Sequence, residues 1–200
     1  MLDWKREKTD DNHVRWEKQI MIYVVRHGQT DWNLIHRVQG HRDIELNQTG
    51  IEQAKIVAEK LVNVKFDVCF ASPLKRALKT AQIIYHGQIK ADDRLIERGN
   101  GDLEGRTNWR EFGIDFDNPN ETRFNIETLP QLQKRLTSFW QEILTNYPDQ
   151  NVLVVSHAGT IMWSQVYFYG LPEDNDVYAK YHLNNCEIWQ FDNKIQPQGY

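Results

Sequence analysis

The chain has 200 residues, of which 40% are hydrophobic and seven are tryptophan, and its formal net charge is -4. This size and apolar content predict one domain with a substantial core and argue against a second full domain. Because the charge is mild and no basic stripe is present, nucleic acid is excluded as the main partner, and an anionic ligand must be held by a few local cations.

The cysteines and the apolar runs indicate the expected compartment. Cys69 and Cys186 lie in apolar stretches without the spacing of a metal site, so we expect two buried thiols. No stretch resembles a signal peptide or an apolar span long enough to cross a bilayer. The sequence therefore predicts a protein of the reducing cytoplasm without a membrane partner.

The first strongly patterned element follows a polar segment. Residues 1–20 are highly charged, and they are expected either to dock as a short helix or to form an extension. Residues 21–25 are an apolar, partly β-branched run typical of a buried strand, which stops at Arg26, His27 and Gly28. Ligands in open α/β sheets bind outside the carboxyl ends of strands, so chemistry is expected at this end.

Two helices and a second strand follow. Thr49 and Glu52 are predicted to form the capping box of the first helix. Residues 65–71 read as another buried strand, followed by Ser72 as a helix N-cap and a proline at the first helical position. Arg76 then lies in the first turn, where a cation needs a compensating anion because of the helix dipole.

The second half contains the remaining elements. The stretch 108–128 is rich in Asn, Asp and aromatic residues, and it predicts a short lid, placed around residues 100–130. An amphipathic helix is expected from Leu129, a buried strand over residues 151–156, and a closing strand over residues 181–191. The two apolar strands predicted over residues 21–25 and 151–156 are therefore each followed closely by a histidine and then a glycine.

These segments together resemble the histidine phosphatase superfamily, in its phosphoglycerate mutase-like branch and short phosphatase type. The resemblance covers roughly residues 21–191 and rests on MIYVVRHGQTDWN, SPLKRALKTA, LIERGNGDLEG and SHAGT. It implies a single three-layer α/β/α sandwich with a mostly parallel central sheet and helices on both faces. Family members often begin at the position of Met21, so we expect residues 1–20 to be an extension and residues 21–200 the domain.

The resemblance also implies an activity and a set of site residues. We expect a phosphomonoesterase that needs no metal and no cofactor and acts on a small phosphorylated metabolite, with a homodimer left open. The implied catalytic residues are His27, Glu97, Arg26, Arg76 and His157. The implied substrate-binding residues are Asn33, Gln39, Gly40 and Ala158. Glu104 is the runner-up for the proton donor, and the other histidines, at positions 13, 36, 41, 86 and 182, are assigned to the surface or to packing.

These residue types suit phosphoryl transfer. The neutral imidazole of His27 can form a phosphohistidine, which divides one difficult displacement into two easier ones. The guanidinium groups of Arg26 and Arg76 can bind phosphate oxygens bidentately. The carboxyl of Glu97 can give a proton to the leaving oxygen and take one from water later.

Two alternatives stay open at this point. A phosphoglycerate mutase of this family carries a lysine after the LEG motif and an adjacent pair of arginines, whereas Asn108 stands at the lysine position and no such pair occurs; Trp109 and Arg110 could partly substitute. A non-catalytic phospho-ligand or interaction module would be expected to lose His27 or Glu97, which are both present. The acid phosphatase branch is disfavoured because Ala158 replaces its aspartate.

We expect the extension to be dispensable for turnover. A variant that lacks residues 1–20 should release phosphate from p-nitrophenyl phosphate at nearly the kcat of the full chain, because all matched site residues lie in the domain. A large loss of kcat in a variant that is still folded would contradict this assignment.

Overall fold

The structure is a computed structural model that describes the backbone of residues 4–8 and 14–18 and the whole of residues 20–200. Strands β1 (Trp4–Lys8) and β2 (Val14–Lys18) pair antiparallel in a two-stranded sheet. The short helix considered for this segment is therefore wrong at those residues. That residues 1–20 are an extension dispensable for turnover stays a prediction.

The domain is built on one five-stranded sheet. Its strands are β3 (Met21–Arg26), β4 (Val68–Ala71), β5 (Ile89–Ala91), β6 (Val152–Ser156) and β7 (Ile188–Asp192). The spatial order is β5-β4-β6-β3-β7, and every pair is parallel except β3 with β7, which lies at the edge. The predicted mostly parallel sheet is confirmed.

Helices connect these strands and cover both faces. They are α1 (Asp31–Leu34), α2 (Gln48–Lys60), α3 (Lys75–Ile84), α4 (Leu129–Asn146), α5 (Ala158–Tyr169) and α6 (Val177–Tyr181). Short 3-10 turns at Asp93–Leu95, Gly101–Leu103, Trp109–Phe112 and Arg123–Asn125 interrupt the long loops.

The core is divided by the sheet into two apolar clusters. On one face, alternate strand residues such as Val25 and Val155 pack with Ala54 of α2 and Ala81 of α3. On the other face the intervening residues pack against the larger side chains of α4 and α5, which include Leu136, Phe139, Trp140, Ile161 and Phe168. Because successive side chains of a strand point to opposite faces, continuous apolar strands require helices on both sides. The predicted three-layer α/β/α sandwich is thus confirmed.

Two helix starts differ from the sequence predictions. Helix α2 begins at Gln48, and the side chain of Asn47 caps it by accepting a hydrogen bond of 2.9 Å from the Gly50 N–H. The predicted Thr49–Glu52 capping box is therefore wrong, because the helix starts earlier and Asn47 caps a free amide of its first turn. The helix still presents Ala54 to the core.

Helix α3 begins later than predicted. Its N-cap is Leu74, which makes no side-chain capping bond, and Pro73 precedes the helix. The hydroxyl of Ser72 accepts a bond of 3.3 Å from the Leu74 N–H, which makes a turn before the helix and not a cap of it. Arg76 nevertheless lies in the first turn, and the carboxylate of Asp43 accepts a bond of 2.7 Å from the Lys75 N–H beside it.

The last predicted strand is shorter than expected. Residues 177–181 form helix α6, and β7 begins only at Ile188. Cys186 has a φ of 58° in the turn that leads into the edge strand, so the apolar run containing it is not all strand. Cys69 and Cys186 are both buried and unbridged, as predicted, and burial raises the pKa of each thiol to about 12.

A helix that crosses a bilayer needs about 20 predominantly apolar residues. Among the described residues, no helix combines enough length with enough apolar character to span a membrane.

Candidate active site

The pairing of β3 with β6 brings the two strand-end histidines together. Arg26 and Ser156 are partners in the parallel register, so the next residue of each strand is a histidine. The backbone N–H of His27 donates to the Ser156 carbonyl at 2.9 Å. The ring centroids of His27 and His157 lie 5.1 Å apart.

The orientation of His27 is fixed by its own neighbour. The Nδ1 atom lies 2.7 Å from the Gly28 carbonyl oxygen, which can only accept, so Nδ1 carries the hydrogen and Nε2 keeps its lone pair. The Gly28 N–H in turn donates to the Thr80 hydroxyl at 3.0 Å. A Cβ on Gly28 would lie 2.4 Å from the Gly50 carbonyl oxygen, so this position needs glycine.

Both imidazoles are held neutral. Burial lowers the pKa of His27 well below its usual value, and the positive charges of Arg76 and Arg26 lower it further. Burial lowers the pKa of His157 in the same way, again with a contribution from Arg76. An uncharged His27 with a free Nε2 lone pair is the form of the side chain that can act as a nucleophile.

The guanidinium of Arg76 is buried in the wall of the site. Its side chain is completely inaccessible, and its two terminal nitrogens donate to the carbonyls of Gly40 at 2.8 Å and Arg42 at 2.7 Å. Burial lowers the pKa of Arg76 to about 10, so the group stays charged at neutral pH. Its Nε atom has no hydrogen-bond partner within the described part of the chain.

Arg26 is held by the segment between α6 and β7. Its Nη1 donates to the Leu183 carbonyl at 2.6 Å and lies 3.1 Å from His182 Nε2. Its buried Nε is also unpartnered among the described residues. Desolvated cations are costly unless an anion or several acceptors compensate them, and Arg26 and Arg76 line the same cavity, so an anionic ligand there would compensate both.

Glu97 lies at the same cavity as these cations. Its carboxylate accepts hydrogen bonds from the backbone of α5, at 3.3 Å from the Gly159 N–H and 3.1 Å from the Thr160 N–H. The first turn of a helix favours a negative charge, which explains why the carboxylate is seated there. Its charge acts on both Arg26 and Arg76, where it opposes the lowering of each arginine's pKa by burial.

Glu104 lies away from the cavity lining. Its Oε1 accepts from the His41 N–H at 2.8 Å and from the Asn100 N–H at 3.2 Å. Its Oε2 lies 3.5 Å from the Nε of Arg42. The runner-up carboxylate therefore joins two loops, and we assign it a structural role.

One cavity of about 650 Å³ collects most of the residues that the sequence singled out. Its lining includes four of the five predicted catalytic residues and all four predicted substrate-binding residues: Arg26, His27, Arg76, Glu97, Asn33, Gln39, Gly40 and Ala158. His157 is fully buried beside His27 and makes no part of that lining. The predicted site residues are thus brought to one place, at the carboxyl ends of β3 and β6.

The predicted lid covers part of this cavity. Trp109, Arg110 and residues 114–117 line it, and the rings of Trp109 and Phe116 meet edge to face at 5.5 Å. Arg98 is 5% exposed and anchors the lid, because its guanidinium donates to the carbonyls of Phe116 at 2.5 Å and Glu127 at 2.8 Å. Asn108, at the position of the mutase lysine, does not line the cavity.

His182 was assigned to the surface or to packing, and this assignment is wrong. It lines the cavity and contacts Arg26, and its ring lies 4.5 Å from that of Tyr178. His36 also lines the cavity, and His41 Nε2 lies 2.9 Å from the Glu97 carbonyl oxygen. None of these three histidines follows a strand in the sequence, so no local pattern identifies them.

Within the parts of the chain that the structure describes, no group of three or more His, Cys, Asp or Glu side chains is placed to hold a metal ion.

The lowered pKa values of the two histidines predict a pH dependence of stability. The unfolded chain takes up protons on histidine near pH 6.5, whereas the folded site keeps both rings neutral to lower pH, so stability is complete above about pH 6.5 and falls below it. Each ring contributes up to ~1.4 kcal/mol per pH unit in that window. The free energy of unfolding, measured with urea at about pH 7.5 and 5.5, should therefore fall less between the two pH values in the double variant His27→Gln, His157→Gln than in the wild type. Equal losses would refute the assignment of neutral rings.

Comparisons with known proteins agree with this geometry. A sequence profile of the histidine phosphatase superfamily (branch 1) matches residues 22–194. The chain is 39% identical over 143 residues to the uncharacterized phosphatase PhoE of Bacillus subtilis, which covers 70% of this chain and 72% of that protein. It is 30% identical over 176 residues to a metal-independent phosphoserine phosphatase of Arabidopsis thaliana, covering 80% and 74% of the two chains.

Solved structures show the same likeness. A phosphoserine phosphatase variant of Entamoeba histolytica in complex with phosphoserine is 28% identical and superposes with a TM-score of 0.74, covering 86% of this chain and 90% of that one. A mycobacterial glucosyl-3-phosphoglycerate phosphatase in complex with VO3 is 26% identical, with a TM-score of 0.75 over 86% and 92% of the two chains. The chain therefore belongs to the histidine phosphatase superfamily, branch 1, and is a histidine phosphatase.

Proposed function

We propose that this protein hydrolyses phosphate monoesters of small metabolites through a phosphohistidine on His27 and without a metal ion. One observation carries the proposal: His27, whose Nδ1 is bonded to the Gly28 carbonyl so that Nε2 keeps its lone pair, lines the same cavity as the guanidinium groups of Arg26 and Arg76. The unbridged, buried cysteines support a reducing compartment such as the cytoplasm for this activity.

The first step forms the covalent intermediate. The Nε2 lone pair attacks phosphorus in line with the ester oxygen, the N–P bond forms and the P–O bond to the leaving group breaks. Arg26 and Arg76 compensate the charge on the non-bridging oxygens throughout. Glu97 gives its proton to the departing oxygen, so that an alcohol leaves instead of an alkoxide.

The second step restores the enzyme. Glu97, now a carboxylate, takes a proton from a water molecule, and the resulting hydroxide attacks phosphorus as the N–P bond breaks. The electron pair returns to Nε2 and inorganic phosphate is released. One carboxyl therefore serves both steps by alternating its protonation state.

The cavity has room for more than a phosphoryl group. Beyond the cations, its walls combine the aromatic side chains of Trp109, Phe116 and Tyr178 with polar lid residues. Relatives and neighbours named for phosphoserine and for glucosyl-3-phosphoglycerate support a small phosphorylated metabolite as the substrate class. We assign the choice among such metabolites to the lid.

A phosphoglycerate mutase activity is the second candidate, and Arg98 and Arg110 in the cavity wall are the features that favour it, since a cation there could bind a substrate carboxylate. The two activities separate when the protein is incubated with 3-phosphoglycerate and 2,3-bisphosphoglycerate. Phosphate release faster than isomerisation supports the phosphatase, and dominant isomerisation rejects it.

Replacement of the nucleophile tests the proposed function directly. His27→Ala should abolish phosphate release from p-nitrophenyl phosphate, and a rapid quench with labelled substrate should trap phosphate on the wild-type protein alone. The trapped phosphate should survive alkali and be lost in acid, as expected for a phosphoramidate. His86→Ala, at an exposed histidine outside the site, is the control and should keep both signals. Unchanged turnover in His27→Ala would reject the phosphohistidine.

The role of Glu97 predicts a dependence on the leaving group. Glu97→Gln should lower kcat for an alkyl phosphate such as phosphoserine by about 100- to 10,000-fold, because an alkoxide needs a proton. The loss should be much smaller for p-nitrophenyl phosphate, whose phenolate leaves without one. Glu104→Gln is the matched control, and any loss that it causes should be equal for the two esters. Equal losses in Glu97→Gln would contradict its role as the acid.

A further inference from the structure

One ring nitrogen in the site has no protein partner. His157 is completely buried, and its Nε2 lies 2.8 Å from the hydroxyl oxygen of Ser72. Its Nδ1 is buried and makes no hydrogen bond with any described residue. A buried polar atom without a partner is costly, and the ring lies 5.1 Å from that of His27, directly behind the cavity lining, so the partner that we infer for this nitrogen is a ligand bound at His27.

Ser72 is placed to decide which nitrogen carries the hydrogen. It is fully buried between β4 and α3, where its hydroxyl oxygen already accepts a bond from the Leu74 N–H. Its hydroxyl hydrogen therefore needs an acceptor. Within residues 20–200, His157 Nε2 is the only hydrogen-bond acceptor found beside that hydroxyl. The hydroxyl oxygen could accept from both groups, but its own hydrogen would then be buried without an acceptor, and such a loss is costly; donation from Ser72 to Nε2 satisfies both groups.

We propose that Ser72 is a positioning residue that fixes His157 in the tautomer with its hydrogen on Nδ1. This inference rests on the proposed function, in which the ligand next to Nδ1 is a phosphoryl group. In that tautomer the ring donates a hydrogen bond to a phosphoryl oxygen. In the other tautomer an Nδ1 lone pair would face the anion, so that a donor would be lost and a repulsion gained.

The two histidines then share the Nδ1–H tautomer but leave opposite ring nitrogens free for opposite tasks. The Gly28 carbonyl holds the hydrogen of His27 on Nδ1 and leaves Nε2 as a lone pair for attack. Ser72 occupies Nε2 of His157 and leaves Nδ1–H as a donor. A neutral ring can act as a donor only through its hydrogen-bearing nitrogen. The hydrogen-bond partner of one ring nitrogen therefore decides what the other nitrogen can do. Burial, and then the charge of Arg76, lowers the pKa of His157, so the ring is neutral and a hydrogen-bond partner has to determine which nitrogen carries its hydrogen.

The test is the tautomer itself, measured by NMR on protein labelled with 15N-histidine. The pattern of one- and two-bond correlations between ring nitrogens and ring protons distinguishes Nδ1–H from Nε2–H, and the His157 signals are identified by their loss in His157→Gln. The wild type should carry its hydrogen on Nδ1, and inorganic vanadate should shift that resonance. In Ser72→Ala the Nε2–H form should increase, and kcat for p-nitrophenyl phosphate should fall about ten- to a hundredfold.

Ser164→Ala is the matched control. Ser164 is also a buried serine, and its hydroxyl donates to the Thr160 carbonyl within α5 at 2.8 Å, away from the imidazoles. This variant should keep the wild-type tautomer and kcat, so any effect of losing a buried hydroxyl on folding is separated from the effect on the ring.

Two results would overturn the proposal: a wild-type His157 with its hydrogen on Nε2, or a Ser72→Ala protein that keeps both the Nδ1–H form and the wild-type kcat. The tautomer is measured without turnover. A wild type with the expected tautomer that hydrolyses no phosphate ester would therefore count against the proposed function and not against the assignment of Ser72.

Discussion

The parallel pairing of β3 with β6 is the interaction on which the site depends. The register that places Arg26 opposite Ser156 makes the next residue of both strands a histidine, and the His27 N–H closes the ladder onto the Ser156 carbonyl. A shift of one residue would turn every side chain of the strand to the other face and separate the rings. The apolar clusters on both faces hold this register, so the core sets the distance between the two imidazoles.

A second constraint is the positive charge that the fold buries next to these rings. Arg26 and Arg76 each keep an unpartnered Nε within the described chain, although backbone carbonyls accept from their terminal nitrogens. Burial, and then these same charges, lower the pKa of both histidines and keep the rings neutral. In the proposed mechanism the arginines therefore both attract the anion and add to the effect of burial on His27, and an arrangement of preorganised donors is what phosphoryl transfer requires.

The sequence predicted the parts of this arrangement that are local. A buried strand that ends in a histidine can be identified from a short stretch, and so can the helix turn that carries Arg76, because neighbours along the chain determine both. Contacts between distant segments could not be predicted: His182 reaches Arg26 across 156 positions. Helix starts were misplaced for a different reason, since Asn47 and Thr49 are both good capping residues and the tertiary position of the loop selects between them.

The anchoring of the lid by Arg98 links substrate selection to proton transfer in the proposed mechanism. Arg98 directly follows Glu97 in the chain, and its guanidinium is bonded to the backbone of Phe116 and Glu127, at the middle and the end of the lid. In the proposed mechanism, the segment that contacts the variable part of a substrate is therefore bonded to the residue next to the proton donor. Evolution of a new substrate preference in this scaffold would retune proton delivery at the same time, so selectivity and the chemical step are inherited together.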